Sequence, residues 1–242
     1  QRQDLTRDAV GVAKAGLDEN DIPLLIFCAS QEFKSGIVGL VAGRLCEEYY
    51  RPAVVLEHGQ EESRGSCRSV PEFDITAALD RCADLLVRHG GHAQAAGFTI
   101  RNENIPLLQE RLLGLAADAL RGQDLRPTVE VDAEIALSDV TEELAQALQT
   151  LEPTGSRNDT PIFLTRRLQV VDFRRVGQDG KHLRLRLSNG RGDMEGIAFK
   201  QGDWAEHLPS LVDVVYHLEF REWNGRWQPQ LVVQDLQPSG DT

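Results

Sequence analysis

The spacing of apolar residues changes once along this chain, between residues 121 and 127, where Gly122, Asp124 and Pro127 end a helical run. Up to that point, apolar runs of strand length alternate with helical stretches of about 10–15 residues. That is the order of an α/β domain with a mixed sheet covered by helices. Residues 1–18 read as a polar helix, 22–29 and 52–56 as buried strands, 63–70 as a polar strand or loop, and 95–100 as a further strand. Helices are expected over 36–50, 74–89 and 105–120. The first has Ile37, Val38, Leu40, Val41 and Leu45 on its apolar side; the second has Asp74 as N-cap and is broken by Gly90-Gly91.

Beyond the change the β pattern takes over. Val129 and Val131 alternate with Glu130, Asp132 and Glu134, as in a half-exposed strand over 128–136, and an acidic helix is expected over 138–151. Five strand-like runs follow, at 162–176, 182–188, 194–199, 212–222 and 227–236, with turns at 177–180, Asn189-Gly190 and Asn224-Gly225. Only the connection 201–210 has room for a short helix. Five antiparallel strands with one short helix between the third and fourth fit an all-β, five-stranded barrel of the OB type; a generic five-stranded barrel is the plainer competitor. The expected organisation is therefore the end of a linker helix (1–18), an α/β domain (19–124) and a barrel domain (125–242).

With 41% hydrophobic and 26% charged residues in 242, the chain sits near globular averages, which excludes disordered, collagen-like and membrane-spanning classes. The start, Gln1-Arg2-Gln3-Asp4, lacks the apolar stretch of a signal peptide, so the expected compartment is the cytoplasm with no membrane partner. Cys28, Cys46, Cys67 and Cys82 are far apart, without the CxxC spacing of a zinc or redox site, and read as buried free thiols. The net charge of −12 argues against a simple electrostatic nucleic-acid binder, but the average conceals an asymmetry. Residues 1–160 hold 15 Lys and Arg against 27 Asp and Glu, whereas 161–242 hold 11 of each. Within 166–191 eight basic side chains face only Asp172 and Asp179, a local charge of +6.

In His182-Leu183-Arg184-Leu185-Arg186-Leu187 the two-residue period puts the leucines on one face and His182, Arg184 and Arg186 on the other. If the turn before it closes over three residues, Arg174 lies opposite Arg184 on that same face. Like charges directly across a ladder repel unless an anion lies between them, which is a motive for a phosphate track; a solvated basic face is the alternative. Phe173, Phe199, Trp223 and Trp227 either stack bases or fill the barrel. In the first domain Gly65-Ser66-Cys67-Arg68-Ser69 offers two hydroxyls and a guanidinium suited to a phosphate oxygen. Gly90-Gly91-His92 brings backbone and one imidazole close to a ligand, or simply caps a helix. There is no Walker A loop, GxGxxG, GxSxG or HExxH, and His89 and His92 lack the companions a metal site needs.

Several of these segments together resemble the RecJ single-strand-specific DNA exonucleases of the DHH phosphoesterase superfamily. Gly90-Gly91-His92-Ala93-Gln94-Ala95-Ala96-Gly97 is similar to the GGHxxAAG signature of the DHH-associated domain, and Gly65 to Ser69 to its GSxRS. Gly36-Ile37-Val38-Gly39-Leu40-Val41-Ala42-Gly43-Arg44-Leu45, followed by Arg51-Pro52, is similar to the family's GVVGIVASRL helix and the strand after it. Leu151-Glu152-Pro153 with Gly155, Asn158 and Pro161 resembles LEPFGxGNPxP, and Gly180-Lys181-His182-Leu183 resembles GKHL. Phe33-Lys34 stand where the family usually has Trp-His, and Thr154, Arg157 and Asp159 replace a Phe, a Gly and a Pro.

The resemblance implies that this is a C-terminal fragment, and that the missing N-terminal DHH domain binds two Mn2+ or Mg2+ ions. It further implies that the intact enzyme hydrolyses single-stranded DNA from the 5′ end in repair and recombination. Catalytic residues and metal are then expected outside this chain. Lys34, Ser66, Arg68, Ser69, Gly90, Gly91 and His92 would hold the terminal nucleotide, and Arg174, Arg175, Lys181, His182, Arg184 and Arg186 the strand behind it. Single-stranded DNA and the protein's own DHH domain are the implied partners. The competing readings are a stand-alone single-strand-binding or scaffold protein and a DHH phosphodiesterase acting on short oligonucleotides.

Overall fold

The computed structural model describes residues 2–18, 21–155, 158–223 and 226–240, with the side chains of 2, 3, 35, 221–223, 226 and 227 outside the description. It divides into two compact units, 1–127 and 128–242. Among the described residues no helix is long and apolar enough to cross a membrane.

The first unit runs α1 (Arg2–Ala15), β1 (Ile26–Ser30), α2 (Ser35–Tyr49), β2 (Ala53–Glu57), β3 (Glu62–Arg68), α3 (Ile75–Asp80), β4 (Leu86–His92), β5 (Ala95–Arg101) and α4 (Ile105–Leu120). Its sheet has the order β1-β2-β3-β5-β4, with β1 and β2 parallel and the remaining pairs antiparallel. Every residue of β2 from Ala53 to Leu56 is buried, as expected of a central strand covered on both faces. Ile37, Val38, Val41, Ala42 and Leu45 of α2 recur at helical spacing and are all buried. Leu40, expected on that side, is instead 45% exposed.

One expected helix is largely a strand. Asp74 caps α3 as anticipated, its Oδ1 accepting from Ala77 N at 2.9 Å, but the helix ends at Asp80. Residues 86–92 pair with β5 as β4, so Gly90 and Gly91 lie within a strand and cap no helix. Leu85 and Leu86 continue the apolar spacing of α3 and so look helical, yet β5 exposes a whole row of unpaired backbone groups that β4 satisfies. Gly91 is required there because a Cβ would fall 2.3 Å from Ala95 O and 2.5 Å from Ala96 Cα.

The second unit carries β6 (Ala133–Glu134), α5 (Glu142–Gln149), β7 (Phe163–Val176), β8 (His182–Ser188), β9 (Asp193–Ala198), β10 (Leu211–Trp223) and β11 (Arg226–Pro238). Pairing in the order β7-β8-β9-β11-β10, with β10 returning to β7, closes a five-stranded barrel of the OB type. Two long strands bend to close it, with register shifts at 170/172 in β7 and 212/214 in β10. Leu183, Leu185 and Leu187 all enter the core around the fully buried Tyr216, whose hydroxyl meets Thr165 Oγ1 at 2.8 Å. The expected strand over 128–136 is reduced to the two residues of β6, since Val129 and Val131 face solvent and find no sheet to cover. The helix expected at 138–151 is shorter, capped by Thr141, whose Oγ1 accepts from Leu144 N at 3.3 Å. The Asn224-Gly225 turn and the rings of Trp223 and Trp227 lie outside the described residues.

Candidate functional site

Directly paired residues in a sheet point to the same side, so the register of the first unit assigns faces. One face carries three rows that cross β3, β5 and β4: Arg64–Thr99–Arg88, Ser66–Gly97–Gly90 and Arg68–Ala95–His92. Helix α2 covers the β2 and β3 side of this face. Gly39 permits the close approach, because a Cβ there would meet Ser66 Oγ at 3.1 Å and Arg68 Nη2 at 3.5 Å. Over β5 and β4 the face stays open. The result is a pocket of about 500 Å3 between α2 and the sheet, lined by Gly36, Gly39 and Leu40 on one side and by Arg64, Ser66, Arg68 and Arg88 on the other. The middle row is floored by small residues, which leaves room for a ligand between two cationic rows.

Arg64, Arg68 and Arg88 each lack a carboxylate partner among the described residues. Arg68 is oriented by donating Nη1 to Cys67 O at 2.7 Å, and Arg88 by donating Nε to Thr99 Oγ1 at 3.2 Å. Glu57 is the cross-strand neighbour of Arg64 yet forms no ion pair with it. Three unneutralised guanidiniums around one cavity, in a chain of net charge −12, are a donor set suited to an anion. His89 also borders the cavity, its Nε2 bonded to Asp80 Oδ1 at 2.8 Å.

Of the residues singled out in the sequence, Ser66 and Arg68 line this pocket, and Gly90 and His92 share their face at its open end, in the same rows. His92 lies two strands from Arg68, about 10 Å. Gly91 sits between them on the alternate side of the strand. Ser69 is taken up locally, donating its hydroxyl to Phe73 O at 2.5 Å while buried. Lys34 stands exposed at the N-cap position of α2, outside the lining, and Phe33 beside it is buried. Arg64 and Arg88 join the lining without belonging to any of the motifs singled out in the sequence. Arg64 follows from the two-residue period through Ser66 and Arg68, and Arg88 becomes visible once 86–92 is recognised as a strand.

On the barrel, Arg174 does lie opposite Arg184, and Asp172 opposite Arg186. The stripe is less cationic than its local +6 suggests, because acids from later in the chain reach it. Arg184 pairs with Glu195 at 2.5 Å, and Arg186 approaches Asp193 at 3.9 Å, both from β9. Lys181 pairs with Asp179 at 3.7 Å. Arg175 falls outside the stripe: paired with Leu183, it turns to the other face, donating to Gly202 O at 3.0 Å and Glu206 Oε1 at 2.8 Å. Arg174 keeps no ion-pair partner among the described residues. His182 Nδ1 accepts from Lys200 N at 2.9 Å.

Two family models match, the DHHA1 domain over residues 21–118 and the RecJ OB domain over 131–235. The single-stranded-DNA-specific exonuclease RecJ of Bacillus subtilis is 32% identical over 239 residues, covering 97% of this chain and 28% of that protein. RecJ of Thermus thermophilus is 33% identical over 210 residues, covering 83% and 28%. The crystal structure of Thermus thermophilus RecJ in complex with Mn2+ superimposes with a TM-score of 0.81 at 29% identity, over 99% of this chain and 34% of that one. The chain thus spans about a third of the length of these relatives.

Proposed function

Since the chain belongs to the RecJ family and carries its DHHA1 and OB domains, we propose that it is the substrate-holding part of a single-strand-specific DNA exonuclease. The observation that carries this reading is the pocket itself. Arg64, Arg68 and Arg88 supply charge for a phosphate, Ser66 a hydroxyl donor, and the small Ser66–Gly97–Gly90 row a floor on which a nucleotide rests. His92, at the open end, is placed to meet the same ligand. The barrel guides the following strand along Arg174, His182, Arg184 and Arg186. The ion pairs of Arg184 and Arg186 are exposed and worth at most about 1 kcal/mol each, so a phosphate displaces their carboxylates at small cost.

In the intact protein, the phosphodiester bond is cut from the 5′ end with Mn2+ or Mg2+ on an N-terminal DHH domain, in DNA repair and recombination in the cytoplasm. The work of this chain is binding and orientation, a reading supported by the hydrogen-bond donors and positive charge that line its pocket. The test is a salt titration of fluorescent single-stranded DNA, with duplex of the same length as control and Mn2+ added to follow hydrolysis. The expected result is salt-sensitive, single-strand-selective binding with the DNA left intact. Turnover by the chain alone, or equal affinity for duplex, overturns the proposal.

A further inference from the structure

Among the described residues, Phe199 is an exposed phenyl ring on the same face of the barrel as its basic stripe. Arg184 pairs with Ile197 and Leu183 with Ala198, and the next residue, Phe199, lies against His182 with ring centroids 5.3 Å apart in an edge-on arrangement. Phe199 is 48% exposed, whereas Phe163 and Tyr216 of the same unit are buried and Phe220 and Trp204 are half-buried. Phe173 is also exposed, but its register partner Leu185 assigns it to the opposite face.

Phe199 is held rather than loose. Its neighbour His182 is fixed through the Lys200 N–H on Nδ1 and by the close approach of Gly177, where a Cβ would fall 2.6 Å from the imidazole Cδ2. Lys200 itself takes a left-handed φ of 60°, turning the chain sharply after the ring. One row along the ladder, about 6.8 Å away, Arg174 and Arg184 face each other as like charges. An exposed, pre-oriented apolar ring with guanidiniums one row along the same face, Arg184 on the next strand and the unpaired Arg174 on the strand beyond, is the pairing that a single strand requires, a π face for the base and a cation for the phosphate.

We propose that Phe199 is the residue on which the barrel stacks a base of the bound strand, with His182 as its positioning residue and Arg174 and Arg184 holding the adjacent phosphate. This rests on the reading that the barrel binds single-stranded DNA. The experiment measures affinity of the chain for a labelled oligothymidylate and for an abasic oligomer of equal length. Phe199→Ala is expected to weaken oligothymidylate binding by about tenfold, leaving its salt slope and the abasic affinity unchanged. Phe199→Trp retains affinity, and its fluorescence is quenched by the base-bearing strand only. His182→Ala lowers the ratio of oligothymidylate to abasic affinity. Phe173→Ala, on the other face, leaves both affinities as they are, whereas Arg174→Ala weakens both and reduces the salt slope. Normal binding by Phe199→Ala overturns the assignment of Phe199 while leaving the barrel as a binding surface. Absence of any single-strand binding by the unaltered chain at low salt overturns both.

Discussion

Replacing Arg68 by alanine isolates one of the three charges that define the pocket. Its guanidinium is half-buried, has no carboxylate partner among the described residues, and uses one nitrogen on Cys67 O, leaving its other donors for a ligand. A hydrogen bond to a charged group contributes about 1.5–3 kcal/mol, and partial exposure places this one at the low end. About 1.5 kcal/mol corresponds to roughly a tenfold loss of affinity. The assay is isothermal titration of the chain with a 5′-phosphorylated dithymidylate and its 5′-hydroxyl counterpart. The unaltered chain is expected to prefer the phosphorylated ligand by tenfold or more. Arg68→Ala reduces that preference towards unity and barely changes hydroxyl-ligand binding, and Arg64→Ala and Arg88→Ala act in the same direction. Because no structural ion pair is lost, the unfolding free energy stays within about 1 kcal/mol of the original. If the phosphate preference is unchanged in all three variants while the ligand still binds, the anion-site reasoning is refuted.

Other parts of the molecule make equally definite predictions. A Cβ on Gly65 would lie 2.2 Å from Phe98 Cζ, so Gly65→Ala is expected to destabilise the first unit by about 1–3 kcal/mol in denaturant titration. Gly114→Ala, in α4 with open space around it, gains about 0.5–1 kcal/mol. In the barrel, burial pushes the Asp213 carboxyl up, but donors from Ser239, Arg167 N–H and Gln237 and the charge of Arg166 outweigh it and hold the group below its ordinary 3.8. The carboxylate therefore contributes stability above about pH 4 that is lost as pH falls through the lowered folded-state value, and Asp213→Asn is expected to flatten that acid limb of the melting curve. Burial raises the Cys67 thiol to about 12, so a thiol reagent at pH 8 is expected to modify it only at the rate of unfolding.

Strong periodicity was legible along most of the chain. The helix expected at 105–120 is α4, and the run at 182–188 is β8 to the residue, because in both cases local pattern and tertiary burial select the same residues. Where they diverge, the sheet prevails: β4 is chosen by pairing with β5, a hairpin contact that the apolar spacing of 74–89 does not show. The charges follow the same logic. Read along the chain, the cationic segment is 166–191, but its arginines meet Glu195, Asp193 and Glu206 once β9 and the following turn are in place. The pocket cations come from the part of the chain with the excess of acid, where Arg64 and Arg68 of β3 are separated from Arg88 of β4 by α3 and a turn. Antiparallel pairing through β5 assembles them on one face, and no acid is placed within ion-pair reach among the described residues. Register, rather than composition, thus decides where this acidic chain presents positive charge. An anionic ligand drawn to the three unpaired guanidiniums would therefore meet a localised positive site within the part of the chain that carries the excess of acid.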